Sequence, residues 1–281
     1  MKGHIKAIII VFIILIIYTV LVYIYATGKN KLEVKEEPKQ VNPEPDNPDD
    51  NTEIKEYDLN VVLFNRVFLG YKDGKWYENP SYDYTSKDFD FYSNGDKYSN
   101  MGLVYTDRWY VMDKEKNFVD YDNGFLAINN TKDYTAIPYK EEQLSSTNRS
   151  DIESFLQSKG LNYNYDTLKK IVMSYDLNRD GIRDDIYVLS NLFLEDYSGY
   201  DKTFAFAFVK TLNQNVLLFE DSYNAIDAVS LCDPYIEGII GVDSTNALII
   251  GCEYYSEGGT KYMLYKLDSK NATKLLETKA N

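Results

Sequence analysis

Histidine is almost absent from this chain, and its single copy lies close to the N-terminus. This residue, His4, lies before the first long apolar run, and because it is the only histidine, residues 57–281 contain no imidazole. Ser-His-Asp and Cys-His nucleophile systems need an imidazole in the folded domain, as do zinc sites built on histidine. The sequence therefore excludes these chemistries from residues 57–281. Carboxylates, lysines, tyrosines and a bound metal are the reactive groups that remain.

Cysteine is scarce as well, since Cys232 and Cys252 are the only two. They allow one pairing, and a disulfide persists only in an oxidising compartment. If the two residues lie on neighbouring strands at bonding distance, a bridge would stabilise the fold. If they do not, they are two separate buried thiols. The spacing alone leaves both interpretations open.

Only one long apolar run is present. Residues 7–26 contain no charged residue and have about the 20 residues that a helix needs to cross a bilayer. Lys2 and Lys6 precede the run and a net acidic segment follows it, so the positive-inside rule places the N-terminus in the cytoplasm. We therefore expect residues 1–27 to be a cytoplasmic stub and a single-pass membrane anchor that leaves the rest extracytoplasmic. A cleaved signal peptide is the alternative, although the run is long for one.

Residues 28–56 lack any apolar periodicity. The segment carries five Lys and nine Asp or Glu residues, and it contains four prolines, namely Pro38, Pro43, Pro45 and Pro48. Such a composition cannot bury enough surface to fold, and prolines and like charges extend a chain. The sequence therefore predicts a disordered acidic linker that holds the following domain away from the membrane.

Positive charge is in short supply in the outer region. When the charges of the linker and of Lys2 and Lys6 are removed from the total of −14, residues 57–281 keep a net charge of −12. A domain this acidic is repelled by phosphate backbones, which argues against nucleic acid as a partner. Cations and neutral ligands, such as an envelope glycan or a protein, are compatible with this charge.

The composition of the outer region favours β structure. The chain contains 27 tyrosines and 13 phenylalanines, and aromatic and β-branched residues favour strands. The dipeptides Asp73-Gly74 and Asn94-Gly95 are typical of tight hairpin turns. Three hairpins are predicted, and their strand-like runs are Val67–Tyr71 with Lys75–Tyr77, Phe89–Tyr92 before Asn94, and Ala247–Tyr255 with Thr260–Leu267. The fold class expected is mostly β with a minor α component.

One short helix is predicted among these strands. Ser150 and Glu153 have the spacing of a capping box, and three apolar residues that follow a helical period lie on one face: Ile152, Phe155 and Leu156. The helix is expected to end near Gly160. Because it separates two β-rich stretches, we expect a module of residues 57–144 and a second of residues 150–281.

The most specific local signal is an acidic loop that begins at Asp176. Alternate positions of the loop carry side-chain oxygens and Gly181 supplies a sharp turn, a pattern that suits Ca²⁺. The predicted ligands are Asp176, Asn178, Asp180, the Ile182 carbonyl and Asp184. A solvated Asx-turn is the alternative. An EF-hand is excluded because position 12 of the loop is Tyr187 where that motif needs glutamate.

The loop and its apolar flanks, residues 168–175 and 186–189, resemble the FG-GAP or VCBS-type repeat. The resemblance covers roughly residues 165–276 and implies a structural calcium loop within hairpins like those of a propeller blade. Residues 239–250 look like a decayed second copy, in which Asp243 and Asn246 are the only remnants, and no metal is predicted there. The segment from Leu69 to Trp76 resembles a motif of uncharacterised secreted bacterial proteins that carry such repeats.

No catalytic constellation emerges from the sequence. Acid pairs such as Glu253 with Glu257 could in principle serve a glycoside hydrolase, but a chain with 44 acidic residues offers many such pairs. The abundant aromatic residues can stack on sugar rings. We therefore expect a tethered binding protein for a glycan or protein partner. A structural or assembly subunit of an envelope complex is the alternative, and a hydrolase is the less favoured one.

Overall fold

A computed structural model describes most of the chain beyond the expected linker: residues 57–63, 67–79, 84–85, 87–93, 95–105, 109–119, 126–192, 194, 200–212, 214–223, 232–254, 259–268 and 270–278. These residues belong to one compact unit, residues 56–281. The expected anchor (residues 7–26) and linker (residues 28–56) lie outside the described residues and stay predictions. Within the described ranges, no helix is long and apolar enough to cross a membrane.

The described residues form antiparallel strands and one helix, which confirms the mostly β fold expected from the composition. The elements are β1 (Leu59–Leu63), β2 (Val67–Lys72), β3 (Lys75–Glu78), β4 (Phe89–Ser93), β5 (Asp96–Tyr105), β6 (Trp109–Met112), β7 (Phe118–Val119), β8 (Leu126–Asn130), β9 (Thr135–Pro138), α1 (Ser146–Ser158), β10 (Lys169–Tyr175), β11 (Asp184–Ser190), β12 (Thr203–Lys210), β13 (Asn215–Tyr223), β14 (Cys232–Val242), β15 (Thr245–Tyr254), β16 (Thr260–Leu267) and β17 (Ala272–Glu277).

The strands make three sheets. Sheet 1 has the order β3-β2-β1-β8-β4-β5-β6-β7, sheet 2 has the order β10-β11-β12-β13, and sheet 3 has the order β17-β16-β15-β14-β9. Sheet 2 and the four C-terminal strands of sheet 3 are simple meanders of consecutive strands. Strand β9 is different, because it precedes the helix in the chain and yet pairs with β14, with Ile137 opposite Ile239.

The three predicted hairpins are confirmed. In the β2–β3 turn, Asp73 and Gly74 have φ values of +51° and +78°, which a tight turn between twisted strands requires. Strands β4 and β5 pair as Ser93 opposite Asp96, and β15 pairs with β16.

Sheet 3 lies between the other two sheets. Ile240 and Val242 of β14 belong to an apolar cluster shared with β1 and β2 of sheet 1. Ile236 and Ile239 of the same strand belong to a second cluster shared with β10, β11 and β12 of sheet 2. Both faces of β14 are therefore buried, and almost every residue of that strand is inaccessible to water.

Helix α1 covers the other face of sheet 2, where Phe155 stacks on Phe208 with ring centroids 3.9 Å apart. The helix begins one turn earlier than predicted. Its capping box is formed by Ser145 and Asn148, and not by Ser150 and Glu153. The side-chain nitrogen of Asn148 also donates to the Tyr187 hydroxyl at 2.9 Å, and this bond attaches the start of the helix to sheet 2. Glu153 instead accepts from Arg149 on the helix surface.

Candidate functional site

The acidic loop connects the first two strands of sheet 2. Strand β10 ends at Tyr175 and β11 begins at Asp184, and these two residues are paired across the ladder. The loop is therefore the hairpin connection itself, with strands on both sides as the sequence predicts. This arrangement holds both ends of the loop at a fixed separation.

The loop is shaped by hydrogen bonds from backbone amides to its own carboxylates. The two oxygens of Asp176 accept from the amides of Asp180 and Gly181, both at 3.0 Å. An oxygen of Asp180 accepts from the amide of Ile182 at 2.8 Å. Gly181 has a φ of +87° and Arg179 a φ of +61°, so the chain reverses sharply here. These bonds turn the carboxylates toward the inside of the loop.

Asn178 lies beside these carboxylates. Its side-chain oxygen accepts from the Asp180 amide at 3.0 Å, and its side-chain nitrogen donates to the Asp180 carboxylate at 3.0 Å. The Ile182 side chain is exposed, whereas its backbone is held by the Asp180 carboxylate. The side chains of Asp176, Asn178 and Asp180 therefore belong to a single hydrogen-bonded turn.

Asp184 is the buried member of the set, with 1 % of its surface exposed. Its carboxylate accepts from the Leu177 amide at 3.1 Å. Burial raises the pKa of Asp184, and the negative charges of Asp180 and Asp176 raise it further, while the Leu177 hydrogen bond acts in the opposite direction. Three acids of this loop thus interact electrostatically, and a cation would relieve their repulsion.

The loop is fastened to sheet 3 by Asn246, at the start of β15. The Asn246 side-chain nitrogen donates to the carbonyls of Asp176 and Leu177, at 3.0 and 3.3 Å. Its side-chain oxygen accepts from the Arg179 guanidinium at 2.9 Å. A Cβ atom on Gly241 would lie 2.9 Å from that oxygen, so the glycine leaves the space that Asn246 occupies. The resemblance placed Asn246 in a decayed second loop, and the structure shows it supporting the first.

Asp243 has a different role in the β14–β15 turn. Its carboxylate accepts from the Tyr71 hydroxyl at 2.8 Å and from the Lys132 ammonium at 2.6 Å. Burial and the hydrogen bond to Asp243 raise the pKa of Tyr71 to about 12. The turn is thereby attached to sheet 1.

The donor set of the Asp176 loop has the chemistry that Ca²⁺ prefers. Three carboxylates, one amide oxygen and one backbone carbonyl are all hard oxygen ligands, and an ionised carboxylate has about four lone-pair positions. Asp176 uses two of these positions for backbone amides, which leaves others for a cation. Among the described residues, no three His, Cys, Asp or Glu side chains form a group that could hold a metal ion by themselves. The carboxylates of Asp176, Asp180 and Asp184 therefore do not converge closely enough in this structure to form such a group.

Cys232 and Cys252 form a disulfide between β14 and β15. Their Cα atoms are 5.3 Å apart, and both residues are fully buried. Cys252 lies opposite Pro234 in the ladder, so the bridge joins diagonal neighbours on two strands that already pair. The bridge is part of the apolar cluster between sheets 2 and 3.

The acid pair that could serve a glycoside hydrolase, Glu253 with Glu257, lies only partly within the described residues. Glu253 is an exposed residue of β15, opposite Thr260 of β16. Glu257 lies outside the described residues. The pair therefore supplies no argument for a glycosidase.

Comparison with known proteins adds no relative. The chain matches no protein-family model, no curated protein and no solved structure.

Proposed function

We propose that this chain is a membrane-tethered extracytoplasmic binding protein whose domain contains a structural Ca²⁺ site in the Asp176 loop. One observation supports the site above all. The buried carboxylate of Asp184 shares a hairpin loop with Asp176 and Asp180, and Asn246 fastens that loop to a second sheet. A bound cation would neutralise these acids and so stabilise the contact between sheets 2 and 3.

The residues that would hold the ion are Asp176, Asn178, Asp180, Asp184 and the carbonyl of Ile182. The resemblance to FG-GAP and VCBS-type repeats supports the same assignment. Sheet 2 is a meander of four strands with the loop in its first hairpin, which agrees with the blade-like hairpins that the resemblance implies. The ion has a structural role in this proposal, and no reaction step passes through it.

The location rests on three features of the chain. Residues 7–26 have the length and composition of a membrane span, and the basic residues precede it. The disulfide between Cys232 and Cys252 fits an oxidising compartment. Ca²⁺ sites of moderate affinity also fit the space outside the cytoplasm, where extracellular modules bind at about 10⁻⁴ to 10⁻³ M.

A binding role is favoured over catalysis because residues 57–281 contain no histidine and no acid pair with catalytic geometry is described. The net negative charge of residues 57–281 argues against nucleic acid as the partner and is compatible with an envelope glycan or an envelope protein. If the partner is a membrane complex, the chain is an assembly subunit of that complex.

Thermal unfolding of the purified full chain tests the calcium site. We expect the melting temperature to rise in excess Ca²⁺ relative to chelator, because a ligand of the folded state alone stabilises it by about 2.7 kcal/mol at 100 times Kd. For a domain of this size, that free energy corresponds to a shift of roughly 5 to 10 °C. Asp176→Asn should lose most of the shift.

Asp113→Asn is the matched control. Asp113 also accepts from two backbone amides, those of Glu115 and Asn117, both at 2.8 Å, but in an exposed turn. This variant should keep the full response to Ca²⁺. An identical response of both variants, or no response of the unaltered chain, would contradict the calcium assignment and leave the Asx-turn interpretation.

Crosslinking on intact cells tests the binding role. The full chain should be recovered joined to an envelope glycan or to an envelope protein after crosslinking from outside the cell. Recovery of a glycan polymer supports a glycan-binding module, and recovery of a membrane complex supports an assembly subunit. Turnover of the captured glycan by the chain would overturn the non-enzymatic assignment.

A further inference from the structure

Glu237 is an acidic residue buried within the middle sheet. Strand β14 contains a bulge at this position, because Ile236 pairs with Ile250 and Gly238 pairs with Ile249, so Glu237 has no partner in the ladder. Only 6 % of its surface is exposed. A carboxyl group in such a place is costly to ionise unless a cation or hydrogen-bond donors compensate it.

No compensating group acts on this carboxyl among the described residues. Titratable side chains do lie on the elements packed against β14, namely Tyr139 after β9, Glu253 and Tyr254 on β15, Asp184, Asp185 and Tyr187 on β11, and Lys210 on β12. None of them changes the pKa of Glu237. Burial alone raises that pKa, to about 8. The group is therefore neutral in the folded domain at moderately acidic pH.

The element best able to expose Glu237 is β9. This edge strand pairs with β14 over four residues, whereas β15 pairs with β14 over ten. The β9 segment also touches the bulge directly, since the Tyr139 amide donates to the Glu237 carbonyl at 3.1 Å. A Cβ atom on Gly238 would lie 2.7 Å from the Ile137 carbonyl oxygen, which shows how closely the two backbones approach.

We propose that ionisation of Glu237 releases strand β9 from β14, so that the edge of sheet 3 opens in response to pH. Of the two strands that pair with β14, β9 has the shorter ladder, so its release opens the sheet beside Glu237 with the smaller loss of backbone hydrogen bonds. Release uncovers the backbone groups of residues 238–241, which β9 covers in the closed sheet.

The direction of the effect follows from linkage. An acid whose pKa is higher in the closed state than in the open state stabilises the closed state at low pH. That stabilisation is lost progressively as the pH rises from the ordinary glutamate value toward about 8. The open fraction should therefore rise by up to about tenfold per pH unit between pH 5.5 and 7.5, and level off above pH 8.

Hydrogen exchange of the purified full chain tests this proposal. After correction for intrinsic exchange rates, the protection of the amides in residues 135–139 should fall by about tenfold per pH unit in this range. The amides of β11 should stay protected, which separates local opening from global unfolding. Glu237→Gln and Glu237→Leu should each remove the pH dependence, because neither side chain ionises.

Glu253→Gln is the matched control, since Glu253 is an exposed acid of the same sheet, and it should preserve the wild-type behaviour. Protection of residues 135–139 that is independent of pH in the unaltered chain would overturn the proposal. A pH dependence that persists in both Glu237 variants would overturn it as well.

Discussion

Removal of the disulfide should measurably destabilise the domain. The bridge joins Cys232 to Cys252, which are separated by 20 positions in the sequence. In the chain-entropy account, a crosslink restricts the unfolded ensemble, and a loop of this size corresponds to about 3 kcal/mol. Because β14 and β15 already pair around the bridge, its loss leaves the folded arrangement in place. We therefore expect the loss to act mainly on the unfolded state.

Equilibrium unfolding in urea, with and without a reductant, measures this quantity. When the free energy of unfolding falls by about 3 kcal/mol and the urea m-value is about 1 to 3 kcal/mol/M, the unfolding midpoint shifts by about 1 to 3 M. The variant Cys232→Ala with Cys252→Ala is the control, because its midpoint should not respond to the reductant. Its own stability should be lower than that of the oxidised protein, by the crosslink contribution plus the loss of two buried sulfur atoms.

Two results would refute this reasoning. The first is an equal midpoint for the oxidised and the reduced protein, which would mean that the unfolded chain gains no freedom when the bridge is broken. The second is a midpoint of the alanine variant that shifts with reductant as much as that of the unaltered protein. In that case the shift would come from the solvent conditions and not from the bridge.

Two further substitutions test the packing described above. Asn148→Ala should cost about 1 to 3 kcal/mol, because it removes the side chain that accepts from the Ser145 amide in the capping box and leaves the buried Tyr187 hydroxyl without its donor. Arg149→Ala, which breaks an exposed ion pair, should cost under about 1 kcal/mol in the same urea assay. Gly251→Ala should cost about 1 to 3 kcal/mol, because its Cβ would collide with the ring of Tyr235. Gly102→Ala is the control: the nearest atom to its added Cβ is the Met112 carbonyl oxygen at 3.8 Å, so the melting temperature should be nearly unchanged.

Turn chemistry explains which parts of the fold were predictable from the sequence. Asp73-Gly74 predicts a hairpin because the positive φ values that the turn requires are a property of those two residues alone. The acidic loop is predictable for a similar reason, since Asp176, Asp180 and Gly181 shape it through bonds within a few residues. Local sequence is sufficient wherever the deciding contacts are local.

The order of the strands was not predictable in the same way. Strand β8 lies between β1 and β4, and β9 lies beside β14, yet no turn residue encodes either pairing. Burial on both faces of β14 also removes the alternation of polar and apolar residues that marks a strand with one exposed face. These features depend on contacts between residues that are distant in the chain.

In the candidate calcium site, too, the local residues could be predicted from the sequence and the distant one could not. Its predicted ligands are consecutive in one loop, whereas the residue that fastens the loop, Asn246, lies on β15. The capping box was misplaced because Asn148 serves both the Ser145 cap and the distant hydroxyl of Tyr187. An asparagine with two such partners is indistinguishable in sequence from any surface asparagine.

The position of β9 has a consequence for how the chain assembles during synthesis. Pro138 pairs with Gly238, so the two partners lie 100 positions apart. At about 5 to 20 residues per second, β9 leaves the ribosome about 5 to 20 s before its partner strand exists. During that interval sheet 3 lacks the strands on which β9 docks, and the apolar residues Ala136 and Ile137 have no native partner there. Formation of the β9–β14 pairing must therefore wait until β14 has been made.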